Sequence, residues 1–180
     1  MVSAATKNLF IVTLIAIIAI SIFYIIHPAI RIFFIPAMII AYIFYIIKSH
    51  NKENKHPNFT CYLLCIAIQL LHFTEEFIFG FNKRLPELML GIPPQHPNLF
   101  VSFNMVAYSL FVLGAIGIYK KIKFMMIIVW FFAIAGVVFN VIGHMLYAIR
   151  VEGYFPGLYA SFMYWIAGPI LLSRMLAVKQ

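Results

Sequence analysis

The run Asn8–Ile26, NLFIVTLIAIIAISIFYII, is nineteen residues without a charge. At 1.5 Å per residue a helix of that length covers about 28 Å, close to the hydrocarbon thickness of a bilayer. Five more stretches of similar character follow: Ile30–Ile47, Phe59–Phe81, Leu99–Tyr119, Phe124–Ile149 and Leu158–Leu176. Together they predict an all-α fold, a polytopic transmembrane helical bundle of about six spans. In the second stretch Pro28 and Pro36 interrupt the first half. Composition agrees: 64% of the 180 residues are hydrophobic and only 10% charged, against roughly half and a quarter in soluble domains. Mean hydropathy is +1.00.

Charge sets the orientation. With the N-terminus inside, the inner segments hold Lys7, Lys48, Lys52, Lys55, Lys120, Lys121, Lys123, Arg174 and Lys179, and the outer ones Arg31, Lys83, Arg84 and Arg150. Nine against four places both termini in the cytoplasm. The net charge of +8 is spread between apolar runs, so it reads as topology and lipid-headgroup contact, not nucleic-acid binding. The first run resembles a secretory leader after Lys7, but its long apolar core and the lack of a small-residue cleavage site predict a retained anchor. An integral protein of a bacterial inner membrane, in contact with membrane lipids, is expected, since no sorting signal is evident. The outer connection Asn82–Asn98 carries Pro86, Pro93, Pro94 and Pro97, which forbid one continuous helix. Its apolar residues Leu85, Leu88, Met89 and Ile92 would suit an interfacial lid as well as an ordinary loop. Cys61 and Cys65, four apart on one helix, are expected to be buried free thiols.

Ionisable groups inside a membrane must face a partner or a cavity. The third stretch carries Cys61, Cys65, Gln69, His72 and Glu76 on one helical face, with Glu75 beside the last. The fifth answers with Gly136, Asn140, Gly143, His144 and Tyr147. His72 and Asn140 each lie nine residues, roughly 14 Å, from the outer end of their spans, so one site can hold both stripes. Two imidazoles and a carboxylate match a divalent metal, zinc or iron, with an open coordination position. On this reading His72, Glu76 and His144 are the ligands and Glu75 the catalytic carboxylate, although Glu75 and Glu76 could exchange roles. Asn140, Gln69 and Tyr147 would support the ligands or touch substrate. The spacing is not that of the H-E-x-x-H zinc helix. A His–Glu pair can also neutralise itself in a bundle core, and adjacent glutamates can share a proton.

His72-Phe73-Thr74-Glu75-Glu76 reads H-x-x-E-E, Asn140 to His144 reads N-x-x-x-H, and Tyr154-Phe155-Pro156-Gly157 reads Y-x-P-G. In that order and at these separations they resemble the HXXEE-domain family of small membrane proteins. Where that family's pattern often places threonine after the glycine, this chain has Leu158. The resemblance covers roughly Phe59 to Leu176 and implies a division into residues 1–58, a two-helix membrane extension, and 59–180, a four-helix domain. Tyr154, Pro156 and Gly157 are expected at the rim of the site. The family is defined by its motifs, so the reaction has to come from the residues. The leading expectation is a metal-dependent membrane enzyme acting on a lipidic or apolar substrate, hydrolysis ahead of oxidation. A proton-coupled carrier or relay, and a non-catalytic membrane binding subunit, are the alternatives.

Overall fold

The computed structural model describes residues 3–50, 58–89 and 91–177. Lys52, Lys55 and Lys179, which entered the charge count, lie outside the described residues. Seven helices follow one another: α1 (Ala4–Ile26), α2 (Pro28–His50), α3 (Phe59–Ile78), α4 (Phe81–Leu88), α5 (Pro97–Tyr119), α6 (Lys123–Arg150) and α7 (Leu158–Leu176). No strand occurs among the described residues. Five of them, α1, α2, α3, α5 and α6, are long and apolar enough to cross a membrane. The sixth expected span, α7, has its 19 residues but is less apolar, being interrupted by Ser161, Pro169, Ser173 and Arg174. Large apolar side chains such as Phe10, Ile25, Ile78, Ile149 and Ile166 cover the outer surface, as lipid contact requires.

Local chemistry sets the helix starts. Ser3 Oγ accepts from the Thr6 N–H, His27 Nδ1 from Ala29, Asn58 Oδ1 from Thr60 and Cys61, and His96 Nδ1 from Asn98. Each cap satisfies donors that have no partner within the helix. Pro28 and Pro97 occupy first-turn positions, where a missing N–H costs nothing. Pro28 therefore starts α2 instead of interrupting it, and α2 also runs on through Pro36. The connection between α3 and α5 contains α4, with Pro86 inside it. Having no N–H, Pro86 leaves the Asn82 carbonyl free, and that carbonyl accepts from the Gln95 N–H at 3.1 Å while Asn82 Nδ2 donates to the Gln95 carbonyl at 3.0 Å. This double link folds the segment back over the bundle. Helix α7 has no side-chain cap of its own: its cap position is Gly157, at φ 92°.

The core forms around α6, whose Ile127, Val129, Trp130, Phe132 and Ala133 are buried. Helix α2 packs on α1 and α6, α5 on α3 and α6, and α7 on α3 and α6. Residues Phe132–Phe139 of α6 are π-helical. Such wide turns often occur at functional sites, and this one ends one residue before Asn140.

Candidate functional site

On α3 the i, i+4 spacing stacks His72 over Glu76, and α6 brings His144 against them. Both imidazoles approach the same carboxylate oxygen: His72 Nε2 lies 3.3 Å and His144 Nε2 3.2 Å from Glu76 Oε1. The rings meet edge to face at 4.6 Å between centroids. Burial is nearly complete, at 0% exposure for His72, 6% for Glu76 and 2% for His144. One ligand atom from each of the three lies within 4.8 Å of the other two, a set that could hold a metal ion. Glu75 is not in that set.

The ring nitrogens are poorly satisfied. His72 Nδ1 and Nε2 and His144 Nδ1 are buried without a hydrogen-bond partner. His72 Nε2 reaches Glu76 by distance but not with hydrogen-bond geometry. Buried polar atoms are paired in the great majority of cases; Glu76 satisfies His144 Nε2, and three ring nitrogens of the pair of imidazoles remain. The cluster therefore has unused ligating capacity at a buried place.

Two turns below Glu76, Gln69 Oε1 accepts from Asn140 Nδ2 at 3.2 Å and from the Tyr164 hydroxyl at 2.9 Å. Asn140 Nδ2 also donates to the Gly136 carbonyl at 2.9 Å, and Tyr164 reaches the Cys65 carbonyl at 3.1 Å. Gln69 and Asn140 thus meet each other instead of the imidazoles. Cys61 and Cys65 are free thiols, each with its sulfur 4.0 Å from the Ala167 carbonyl. Tyr147 stands edge-on to His144, ring centroids 5.8 Å apart.

Glu75 points to the start of α7. Its carboxylate accepts from the Tyr159 N–H at 3.1 Å, the Ala160 N–H at 2.7 Å and the Tyr154 hydroxyl at 2.8 Å. The carboxylate supplies the cap that α7 lacks, with its charge at the positive end of the helix dipole. Partial burial, and then the Glu75 carboxylate itself, raise the Tyr154 phenol above its usual range, so it remains a donor at neutral pH. The two glutamates of the motif therefore face different partners, Glu76 the imidazoles and Glu75 a helix terminus. No sequence signal marks Tyr159 and Ala160 as its partners. The only available hint was that Tyr154–Gly157 contains no capping side chain.

Among the residues expected at the rim, Tyr154 is tied to Glu75, Pro156 is buried, and Gly157 lies deeper than a rim would. A Cβ at 157 would overlap His144 Cε1 and come within 2.8 Å of His72 Cε1. Gly157 is the backbone wall against both imidazoles, and its positive φ is one that L side chains rarely adopt. Phe155, 1% exposed, and Phe81 close the same side, with their rings 6.3 Å and 5.4 Å from that of His144. Neither was singled out by spacing, because an aromatic residue carries no sign of its neighbour.

A cavity of about 110 Å³ opens on the cluster. Glu76, His144, Asn140, Gln69 and Tyr147 border it on α3 and α6, and Phe33 and Phe34 of α2 with Phe103, Asn104 and Phe111 of α5 line the rest.

Fold and site together define a polytopic helical membrane protein with a buried His–Glu–His cluster at the side of an apolar cavity. Its chain belongs to the family described as proteins of unknown function with an HXXEE motif, whose model matches residues 63–171. That segment runs from early α3 into the second half of α7 and contains all three motifs. No curated protein and no solved structure matches the chain.

Proposed function

We propose that His72, Glu76 and His144 hold a divalent metal, zinc or iron, in a membrane enzyme that is hydrolase-like and acts on a lipidic or apolar substrate. What carries this reading is the convergence of the three ligand atoms within 4.8 Å, with imidazole nitrogens left unsatisfied at full burial. A metal bound there supplies Lewis-acid polarisation of a carbonyl or phosphoryl oxygen and lowers the pKa of water. The chain's own part is exclusion of bulk water and orientation of substrate. Glu75, with its carboxylate on the α7 N-terminus, serves to place α7 and Gly157 against the imidazoles. Glu76 is the carboxylate at the cavity wall, and is both ligand and the nearest proton acceptor. Asn140 and Gln69 brace α3 against α6, and Asn140 and Tyr147 present polar groups to the cavity.

Metal content tests this directly. Protein purified without chelator carries about one zinc or iron per chain by elemental analysis, and His72→Ala, Glu76→Gln and His144→Ala each lose it. Asn140→Ala, which removes the contact to Gln69 and none to an imidazole, keeps the metal. A folded wild type without stoichiometric metal would overturn the reading and favour a proton relay through the same residues.

We further propose an orientation with Lys120, Lys121 and Lys123 in the cytoplasm and α4 outside, in a bacterial inner membrane. Lys7 and Lys48 fall on the side of Lys120–Lys123, while Arg31, Lys83, Arg84 and Arg150 fall on the other. Single cysteines at 83 and 121 in a Cys61→Ser, Cys65→Ser background then react from opposite sides with an impermeant maleimide, 83 from outside. Labelling of 83 from the cytoplasmic side would invert the topology and put the cluster in the inner half of the membrane.

A further inference from the structure

The cavity wall is shared unequally along the chain. Its polar border comes from α3, α5 and α6 and from Gln95, all within the family-matched segment, while Ala29, Ile30, Phe33 and Phe34 come from α2, which lies outside it. On α5 the wall runs from Phe100 to Phe111, eleven residues or about 16 Å of helix. A volume of about 110 Å³ has room for on the order of eight water-sized centres. Spread along the ~16 Å of α5 that borders it, that volume has the cross-section of a single file. Ring contacts join α2 to its neighbours along the wall: Phe34 meets Phe103 of α5 at 5.1 Å, and Phe33 meets Tyr147 of α6 at 6.1 Å. At its outer end Phe81, Leu85 and Gln95 border it, and Glu76 and His144 lie just inside.

From this shape we propose that the slot takes one linear hydrocarbon chain at a time, with the chain's polar end at Glu76 and His144, and that α2, through Phe33 and Phe34, sets which chain fits. The proposal rests on the reading above for the place of the reacting end, whereas occupation of the slot needs only the cavity. A two-tailed lipid does not fit a single file. The ligand is a single-chain amphiphile, with either a saturated acyl-type tail or an isoprenoid tail.

The test uses photoreactive probes with a hydroxyl head, saturated tails of 8, 12 and 16 carbons or a farnesyl tail, and a diazirine near the tail end. They are added to the full chain in nanodiscs, and the adducts are mapped by mass spectrometry. Adducts fall on the α2 and α5 segments around Phe33, Phe34, Phe103 and Phe111. Ala107→Phe, whose ring would block the slot between Phe103 and Phe111, lowers labelling by the 16-carbon probe at least tenfold and leaves the 8-carbon probe within twofold. Val106→Phe, on a neighbouring position 62% exposed on the outer face, changes neither. Ala107→Leu serves if the phenylalanine variant does not fold. Phe33→Ala with Phe34→Ala raises farnesyl labelling relative to the saturated series if the wall selects against methyl branches, and lowers it if the native ligand is isoprenoid. An unchanged ratio would remove α2 as the selecting element. Adducts confined to lipid-facing positions, or equal effects of Ala107→Phe and Val106→Phe, would overturn the slot. Metal content is read on the same samples: slot adducts without metal leave this inference standing and end the metalloenzyme reading, and metal without slot adducts does the reverse.

Discussion

Gly157→Ala destabilises the protein by roughly 3 kcal/mol and breaks the cluster, although it adds a single methyl group. Two costs combine. An L-residue at φ 92° gives up about 1–2 kcal/mol, and overpacking a filled site costs about 1–3 kcal/mol. Here the new Cβ meets two imidazole edges, His144 Cε1 and His72 Cε1, with Phe155 and Phe81 behind His144. Neither ring can withdraw without leaving Glu76. Gly80 separates the two costs, because its φ is 74° and nothing lies within 4 Å of its Cβ position. Gly80→Ala should therefore show only the backbone cost, about 1 kcal/mol. The measurement is the unfolding midpoint of both variants in the same detergent, with metal content alongside. Equal midpoints would mean that the wall against the imidazoles is softer than the geometry says, and intact metal binding in Gly157→Ala would show that the rings are not held by it.

The sequence made most of this architecture legible because a bilayer leaves few options. Uncharged runs of about twenty residues can only be helices there, so the span bounds of Asn8–Ile26 and Leu99–Tyr119 came within a few residues of the observed α1 and α5. The cluster was equally readable: His72, Glu76 and His144 are costly at their depth unless partnered, and helical period puts two of them on one face. Direction was not readable for Glu75. It neighbours Glu76 in sequence, but adjacent positions on a helix point about 100° apart, and its partners are backbone N–H groups of a helix that begins 83 residues later. The contribution of α2 to the cavity was also hidden. Ala29, Ile30, Phe33 and Phe34 look like any lipid-facing stretch, and only the packing of α2 on α6 turns them inward. That contact makes α2 part of the cavity wall, although it lies outside the segment that carries the motifs.

Glu75→Ala and Glu76→Gln should separate completely in their effects, although the residues are adjacent. Removing the Glu75 side chain leaves the Tyr159 and Ala160 N–H groups and the Tyr154 hydroxyl without their acceptor. Hydrogen bonds to a charged group are worth about 1.5–3 kcal/mol each and an N-cap about 0.5–2 kcal/mol. The three are shared by one carboxylate and partly wet, so a total loss of about 3 kcal/mol is expected, not their sum. Glu75→Gln keeps one oxygen as acceptor and should cost about 1 kcal/mol while retaining metal. Tyr154→Phe should cost about 1 kcal/mol in the wild type and almost nothing after Glu75→Ala, which is the coupling of two groups that share one contact. Glu76→Gln should behave in the opposite way, with metal lost and the unfolding midpoint of the metal-free protein almost unchanged. Glutamine is isosteric with glutamate, so it opens no cavity, and its neutral amide removes a buried charge. Midpoints of chelated samples and metal per chain for these variants decide between the two assignments. A Glu75→Ala protein as stable as wild type but unable to bind metal would move Glu75 from the helix terminus to the reaction centre. If instead Glu75→Ala unfolds early, Glu75→Gln binds metal, and Glu76→Gln does not, the first glutamate of H-x-x-E-E holds the fold in place and the second carries the chemistry.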